Sequence, residues 1–465
     1  MEEDLSLLEE HLRDGTLGYY KTNLALILLA RHASFFLREN EPTLARWCVF
    51  AHEYAHFLHN FSTVAGMYDF IAHLRLTRLF VRTVGTIGTS SGSQVLQAAE
   101  IAEFAQLQTW RRHLRGDARC PFDKTYHRRE VKTRVTGVKK FPASVALSGQ
   151  VLAVDEVTVA FKVRSASTEE EECLLHFGSW HIMEALAYEI ERIIFIAFGS
   201  PPSFVDAHMP AFPYKLGRQV FEHISQMEPA AGTLARICVM ALQSSDPGAA
   251  FFDLATAFAN RPTAESEDDT LGRLVAIMQT DFNQRGREII ATTLRPEFDV
   301  FASRGAAGRA IAALGDACCK YVELRTQAPF FEVELFERKM DRDVVLEMLR
   351  SFPPCPVVHE AGLTGEGLEY FNLSEIELDP EFVGNLGAYH SMGQFMLAHL
   401  ASDRFLATSE IPQCRCMFLG TCAAPLAQQE PAICQTTPWK AFHHANPDGC
   451  WYAHGVSVSR GRQDL

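Results

Sequence analysis

Apolar residues recur at helical spacing along most of the chain, and they alternate with polar residues over one shorter region. Apolar positions three and four residues apart predict one buried helix face, whereas strict alternation predicts a strand with one buried face. Helical spacing is found over residues 5–13, 43–66, 68–83, 95–114, 179–192, 215–227, 233–242, 249–260, 271–284, 307–324, 341–352 and 388–401. The sequence therefore predicts an α+β protein in which helices predominate.

Strand patterns are found in the first half of the chain. Residues 24–30 form an apolar run that fits either a buried strand or the beginning of a helix, because periodicity does not separate the two in so short a run. Residues 145–151 and 156–163 alternate and predict two strands joined by a turn at residues 153–155, with a third strand at 173–177. We therefore expect a small mixed sheet among the N-terminal helices.

Two changes in composition divide the chain into three parts. Residues 199–203 read Gly-Ser-Pro-Pro-Ser, which is the clearest linker in the sequence. After about residue 401 the helical spacing fades, and Cys, Pro, Gly and Gln become frequent. We predict an N-terminal domain over residues 1–199, a helical domain over 204–401 and a Cys- and His-rich tail over 402–465.

The predicted helix at residues 43–66 carries the sequence His52-Glu53-x-x-His56. Residues four apart lie on one face of a helix, so His52 and His56 can offer two imidazole nitrogens to one metal ion. Glu53 lies beside them and is placed to deprotonate a water bound to that ion, the arrangement used by metallopeptidases. Two helix histidines making ordinary hydrogen bonds are the alternative, and a third ligand would decide between the two.

This motif, followed by a sheet and then by a helix with an acidic residue among apolar ones, resembles the gluzincin branch of the zincin metallopeptidases. In that family the second helix supplies the third ligand to a catalytic Zn²⁺. The resemblance implies Glu184 as this ligand, with Glu189 as the alternative because it lies on a different helical face. It also implies an edge strand of the sheet beside the metal, where an extended peptide pairs as an added strand.

Three further residues near the motif have weaker claims. His59 lies seven residues after His52, about 10 Å along the helix, which is too far for both to bind one ion. Tyr188 and His181, on the predicted helix at 179–192, could stabilise an oxyanion, although packing in the core is the ordinary role of such residues.

The tail contains a second group of metal-binding residue types. A loop-rich segment with little core gains much of its stability from a structural metal. We predict a second site for zinc or an iron–sulfur cluster, with reduced cysteines in a loosely packed tail as the alternative; the cysteines are Cys414, Cys416, Cys422, Cys434 and Cys450. Their spacing matches no standard zinc finger, and His443, His444 and His454 lie nearby in the sequence.

Composition limits the classes of partner. The chain has 465 residues and a formal net charge of −14, which disfavours binding to nucleic acid or to an anionic membrane. The basic stretch at residues 111–140 is the exception, and it fits an acidic partner, nucleic acid or, more simply, a solvated loop. The acidic start Met1-Glu2-Glu3-Asp4 is unlike a secretory signal, and no apolar run is long enough to cross a bilayer, so we expect a cytoplasmic protein with thiols rather than disulfides.

Together these patterns predict a zinc-dependent peptidase that acts on a peptide or protein substrate. The alternative is a zincin-like metal-binding scaffold with a regulatory or interaction role and little hydrolytic activity. The large helical region and the Cys-rich tail favour this alternative, because they exceed what a minimal peptidase needs and offer a surface for a protein partner.

Overall fold

The structure, a computed structural model, describes most but not all of the chain. The described residues are 18–24, 26–30, 44–118, 131–147, 149–164, 170–338, 344, 357–360, 369–370, 380–419, 424–443 and 449–460. The helices predicted at residues 5–13 and 341–352 lie outside them, apart from Val344.

Helices make up most of the described residues. They are α1 (Leu44–Ser62), α2 (Val64–Thr83), α3 (Ala98–Arg115), α4 (Ser179–Ala197), α5 (Pro202–His208), α6 (Leu216–Ser225), α7 (Ala231–Leu242), α8 (Pro247–Ala259), α9 (Glu267–Ile289), α10 (Arg295–Ala302), α11 (Gly305–Gln327), α12 (Phe331–Phe336), α13 (Pro380–His399), α14 (Pro425–Gln429), α15 (Pro431–Thr436) and α16 (Trp451–Ser459). Short 3₁₀ segments occur at Thr22–Leu24, Ser93–Val95, Thr408–Glu410 and Pro438–His443, and a π-helical turn at Ile290–Leu294 joins α9 to α10. None of the described helices combines the length and the hydropathy that a bilayer-spanning segment requires.

The strands form two small sheets. They are β1 (Gly18–Lys21), β2 (Leu26–Ala30), β3 (Lys132–Leu147), β4 (Gln150–Arg164), β5 (Glu171–His176), β6 (Val357–Glu360) and β7 (Glu369–Tyr370). One sheet has the order β1-β2-β6-β7 with a parallel β2–β6 pair, and the other is the antiparallel sheet β3-β4-β5. The predicted α+β class with predominant helix is confirmed, and the apolar run at residues 24–30 contains a strand rather than a helix.

The hairpin β3–β4 is longer than the sequence pattern predicts, and its predicted turn is wrong. Residues 153–155 lie inside β4, paired with residues 142–144 of β3. The chain reverses near Gly149 instead, whose φ of +77° is a conformation that glycine adopts readily. Many side chains of β3 are exposed on both faces of the strand, so most of its sequence lacks the alternation of apolar and polar residues that would predict a strand. Residues 132–140 of the basic stretch consequently belong to a strand, and residues 119–130 lie outside the described part.

One hydrophobic cluster joins the helices on both sides of the predicted linker. It includes buried residues of α1, α4, α7 and α11, for example Phe50, Ile190, Leu234 and Cys318. Helix α4 packs against both α1 and α7, and α5 begins at Pro202, within the predicted linker. The three-part division remains a prediction. This shared core fixes α4 against α1, and these are the two helices that carry the candidate metal ligands.

The motif helix ends earlier than predicted, at a tight junction with α2. Helix α1 ends at Ser62, and Thr63 caps α2 by accepting a hydrogen bond from the Gly66 N–H at 3.1 Å. The Thr63 hydroxyl also donates to the His59 carbonyl oxygen at 2.6 Å, which satisfies a terminal carbonyl of α1. A β-carbon at Gly66 would lie 2.3 Å from that same carbonyl oxygen, so this position requires glycine.

We expect Gly66→Ala to destabilise the fold by about 1–3 kcal/mol, because the added methyl group collides with backbone atoms that have no room to move. Gly272→Ala is the matched control, since Gly272 lies in α9 with no heavy atom within 4 Å of the position of its β-carbon. In that variant the free energy of unfolding should instead rise by roughly 0.4–1 kcal/mol. Denaturant unfolding followed by circular dichroism measures both changes, and equal stability of the two variants would contradict the described junction.

Candidate metal centre

Two imidazoles and one carboxylate converge between α1 and α4. His52 and His56 lie one turn apart on α1, and Glu184 lies in the second turn of α4. The Oε2 atom of Glu184 is 3.5 Å from the Nε2 atom of His52 and 3.7 Å from that of His56. The packing of α4 against α1 therefore joins residues that lie more than 120 positions apart.

The spacing of these atoms fits a small divalent cation. Tetrahedral Zn²⁺ with bonds of roughly 2.0–2.1 Å separates its ligand atoms by about 3.3 Å, close to the distances observed here. Among the described residues, His52, His56 and Glu184 are the one group of three His, Cys, Asp or Glu side chains whose ligand atoms all lie within 4.8 Å of one another. The residues present therefore fit a metal ion with imidazole and carboxylate ligands.

Glu189, the alternative third ligand, does not join this group. Its side chain is fully buried on another face of α4, where it accepts two hydrogen bonds of 2.8 Å from Arg218. Arg192 donates a third at 3.0 Å. Two guanidinium groups therefore surround this carboxylate, which gives it a structural partner and removes it from the metal-binding face.

Glu191 belongs to the site, although no sequence motif singles it out. Its Oε1 atom accepts a hydrogen bond of 2.6 Å from the Nδ1 atom of His52. A metal ion that replaces the proton on Nε2 would leave the Nδ1 proton on this hydrogen bond, which is the tautomer that a metal ligand needs. Glu184 and Glu191 are seven residues apart on one helix, so they share a face, and this spacing is the signal that could have identified Glu191.

The site concentrates negative charge where little water reaches. His52, Glu53 and His56 are 6%, 7% and 8% exposed, and Glu184 and Glu191 are also largely shielded. Burial raises the pKa of Glu53. Burial alone would lower the pKa of His52, but its hydrogen bonds with Glu184 and Glu191 outweigh this and raise it well above the usual value. Burial likewise opposes ionisation of Glu184, yet the two histidines lower its pKa overall. Three carboxylates facing two imidazoles favour a bound cation.

Aromatic rings that come from outside the two helices flank the histidines. The ring of Tyr214, after α5, lies 5.5 Å from that of His52, and the ring of Tyr20, in β1, lies 6.4 Å from that of His56. The sequence predicts the sheet of residues 145–177 beside the motif, whereas the structure has β1 of the other sheet in contact with it. Tyr188 and His181 have other contacts: the Tyr188 hydroxyl donates to Asp206, and the His181 ring accepts from the Gly178 N–H.

His59 belongs to a separate buried network below the site. Its Nε2 atom donates to Glu332 at 2.9 Å, and Arg325 donates to the same carboxylate at 2.9 and 3.1 Å. Arg325 also bonds Ser62 at the end of α1. Burial opposes the charge on Glu332, but Arg325 and His59 outweigh it and lower the pKa of Glu332 from 4.5 to about 2. This network ties the C-terminal end of the motif helix to α11 and α12.

We expect Glu332→Gln to lower the free energy of unfolding by about 3–5 kcal/mol at neutral pH. The substitution leaves the guanidinium group of Arg325, which is 1% exposed, buried without its counter-charge. Since the pKa of Glu332 is lower in the folded state than in the unfolded state, its stabilising effect is present above pH 4.5 and is lost as the pH falls towards about 2. The difference in the free energy of unfolding between wild type and variant, measured by denaturant unfolding, should therefore decrease as the pH falls through this range. The exposed pair Arg287–Glu323 supplies the control, where Glu323→Gln should cost less than about 1 kcal/mol. If Glu332→Gln lowers the free energy of unfolding by as little as the control does, the network contributes little to the stability of the fold.

Part of the tail group also comes together. Cys416, Cys434 and Cys450 are buried and line one cavity, whereas Cys414 is only partly buried. The side chains of His443 and His454 are exposed. Cys422 and His444 lie outside the described residues.

No protein-family model, curated protein or solved structure matches this chain.

Proposed function

We propose that the protein is a zinc-dependent peptidase whose metal ligands are His52, His56 and Glu184. The observation that carries this proposal is the convergence of the three ligand atoms within 4.8 Å, with the carboxylate of Glu53 beside the two histidines on α1. Two imidazoles and one carboxylate, with a fourth position left for water, are a ligand set typical of catalytic zinc rather than of a closed structural site.

The residues around the ligands have roles that follow from their positions. A bound Zn²⁺ supplies acidification of a water molecule and polarisation of the substrate carbonyl. Glu53, next to His52 and within electrostatic reach of both histidines, accepts the proton of the attacking water and passes it to the leaving amine. Glu191 fixes the orientation and tautomer of His52 through its hydrogen bond to Nδ1.

An edge strand beside the site favours a peptide as the substrate. Among the described residues, β1 pairs on one side only, with β2, and its Tyr20 contacts the His56 ring. An extended peptide could add to the open side of β1 through main-chain hydrogen bonds, which would bring a scissile bond to the ligand group.

The second candidate is a metal-binding scaffold with little hydrolytic activity, and the shielding of the site favours it. Ligand side chains that are about one-tenth exposed leave little space for a bulky substrate in this conformation. Under this reading the site binds a metal and stabilises the contact between α1 and α4.

Incubation of the full chain with a peptide library separates the two candidates. A peptidase should cleave a subset of peptides, lose this activity on treatment with a chelator, and regain it when Zn²⁺ is restored. Retention of one zinc at the main site without cleavage of any peptide would favour the scaffold. Cleavage that persists after complete removal of metal would contradict the proposed mechanism.

A further inference from the structure

The tail brings three cysteines from separate segments to one place. The Cys416 N–H donates to the Cys434 carbonyl oxygen at 2.7 Å, which sets the segment before α14 against α15. Two residues earlier, the Cys414 N–H donates to the Thr436 carbonyl oxygen at 2.8 Å. Cys450 caps α16, where its sulfur accepts from the Ala453 N–H at 3.5 Å. The two backbone hydrogen bonds hold Cys416 against Cys434, and Cys450 meets these residues at a common centre.

That centre is a small cavity lined by Cys416, Cys434 and Cys450. The three side chains are 6%, 6% and 5% exposed, and their neighbours in the lining are mainly apolar, including Phe418 and Leu426. The cavity has a volume of about 10 Å³, which is room for a single water-sized particle and excludes an organic ligand.

A buried hydroxyl in the same lining lies beside the cysteine thiols. Tyr452 is 1% exposed, and its hydroxyl interacts with the thiol of Cys414 but has no oxygen or nitrogen partner among the described residues. The thiols of Cys414, Cys416 and Cys450 lie close to this hydroxyl. A hydroxyl donor beside sulfur atoms is the kind of group that stabilises thiolates bound to a metal.

We propose that Cys416, Cys434 and Cys450 bind one structural Zn²⁺ that stabilises the tail. Thiolates are preferred ligands of zinc, and the space for a single particle favours one ion over an iron–sulfur cluster. Cys414, whose thiol also lies near Tyr452, is the candidate for the fourth ligand. The helices α14 and α15 have only 5 and 6 residues, and segments so short gain stability from a metal crosslink.

Binding requires a local adjustment of the cysteine side chains. Among the described residues, only the His52 group has three ligand atoms that all lie within 4.8 Å of one another. The distance between at least two of the three sulfur atoms therefore exceeds 4.8 Å. Tetrahedral zinc with Zn–S bonds of roughly 2.3 Å needs sulfur atoms about 3.8 Å apart, so binding must draw the thiols closer together.

Counting zinc in the purified full chain tests this site independently of the main one. Wild type should hold two zinc ions per chain, Cys434→Ser one, His56→Ala one, and the double variant none. Cys319→Ser is the matched control, because Cys319 is partly buried on α11 and does not line the cavity, and it should keep both ions. A wild-type chain whose zinc content is unchanged by Cys434→Ser would overturn the proposal.

Substitution with Co²⁺ covers the case in which Cys434→Ser does not fold. In the His56→Ala chain, Co²⁺ should give the intense near-ultraviolet bands of thiolate coordination, because the ligands proposed for the main site include no sulfur. Absence of these bands from a folded His56→Ala chain would contradict the tail site whatever the state of the main site. Failure of the peptidase proposal alone would leave the thiolate bands intact.

Discussion

Glu53→Gln is expected to lower kcat for peptide cleavage by roughly 10²–10⁴-fold while the zinc content of the main site stays unchanged. The amide retains the size of the side chain and its place beside His52, but it cannot accept the proton of the attacking water. Glu53 is not one of the three converging ligands, so its replacement leaves the ligand set complete. Steady-state kinetics on a peptide that the wild type cleaves, together with elemental analysis, measures both quantities.

Glu323→Gln is a suitable control, because Glu323 is exposed on α11 and should leave both kcat and zinc content at wild-type values. Turnover near the wild-type rate in the Glu53→Gln chain would assign the proton transfer to another group and remove the main support for the mechanism.

Glu184→Ala is expected to abolish stable zinc binding at the main site, since it leaves two imidazoles without the carboxylate that completes the set. Glu191→Gln should be milder and weaken the affinity by roughly 10–100-fold, because it removes the partner that orients His52 rather than a ligand. Competition with a chromophoric chelator measures the affinity of each variant.

The choice between Glu184 and Glu189 gives this experiment its sharpest comparison. Glu189→Gln weakens the neutralisation of two buried guanidinium groups, so it should reduce stability and leave the zinc affinity of the folded chain unchanged. Retention of zinc by Glu184→Ala together with its loss from Glu189→Gln would reverse the assignment of the third ligand.

The parts of the site that follow from one helix could be predicted from the sequence. His52 and His56 lie four residues apart, and this spacing alone places both rings on one face of α1. The identity of the third ligand depends on which face of α4 meets α1, and an apolar helix gives no clear answer. Glu184 could be preferred over Glu189 by its apolar neighbours and by resemblance, but only the packing of the two helices separates them.

Features that depend on long-range packing were not accessible from the sequence. Tyr20 and Tyr214 reach the site through β1 and through the segment after α5, and no local pattern connects these segments with the motif. Glu191 orients a candidate ligand rather than being one, and in the sequence only its place seven residues after Glu184 indicates that it shares that face of α4. The turn at Gly149 was misplaced because solvent-exposed residues on the hairpin hide its alternation.

The grouping of the tail cysteines also depends on contacts that the sequence does not reveal. The intervals between the cysteines resemble no familiar zinc motif, because the positions of these residues are set by a short helix, a backbone hydrogen bond and a helix cap rather than by a compact loop. Main-chain contacts between Cys416 and Cys434 bring together residues 18 positions apart. A spacing rule derived from other folds would not find this arrangement.

The most direct test of the central claim is an anomalous difference map, collected on crystals of the zinc-loaded full chain on both sides of the zinc absorption edge. We predict a zinc peak between α1 and α4, within about 2.0–2.2 Å of the Nε2 atoms of His52 and His56 and of a carboxylate oxygen of Glu184. A map without a peak at this position, or with zinc bound there by a different set of residues, would contradict the assignment on which the proposed peptidase activity depends.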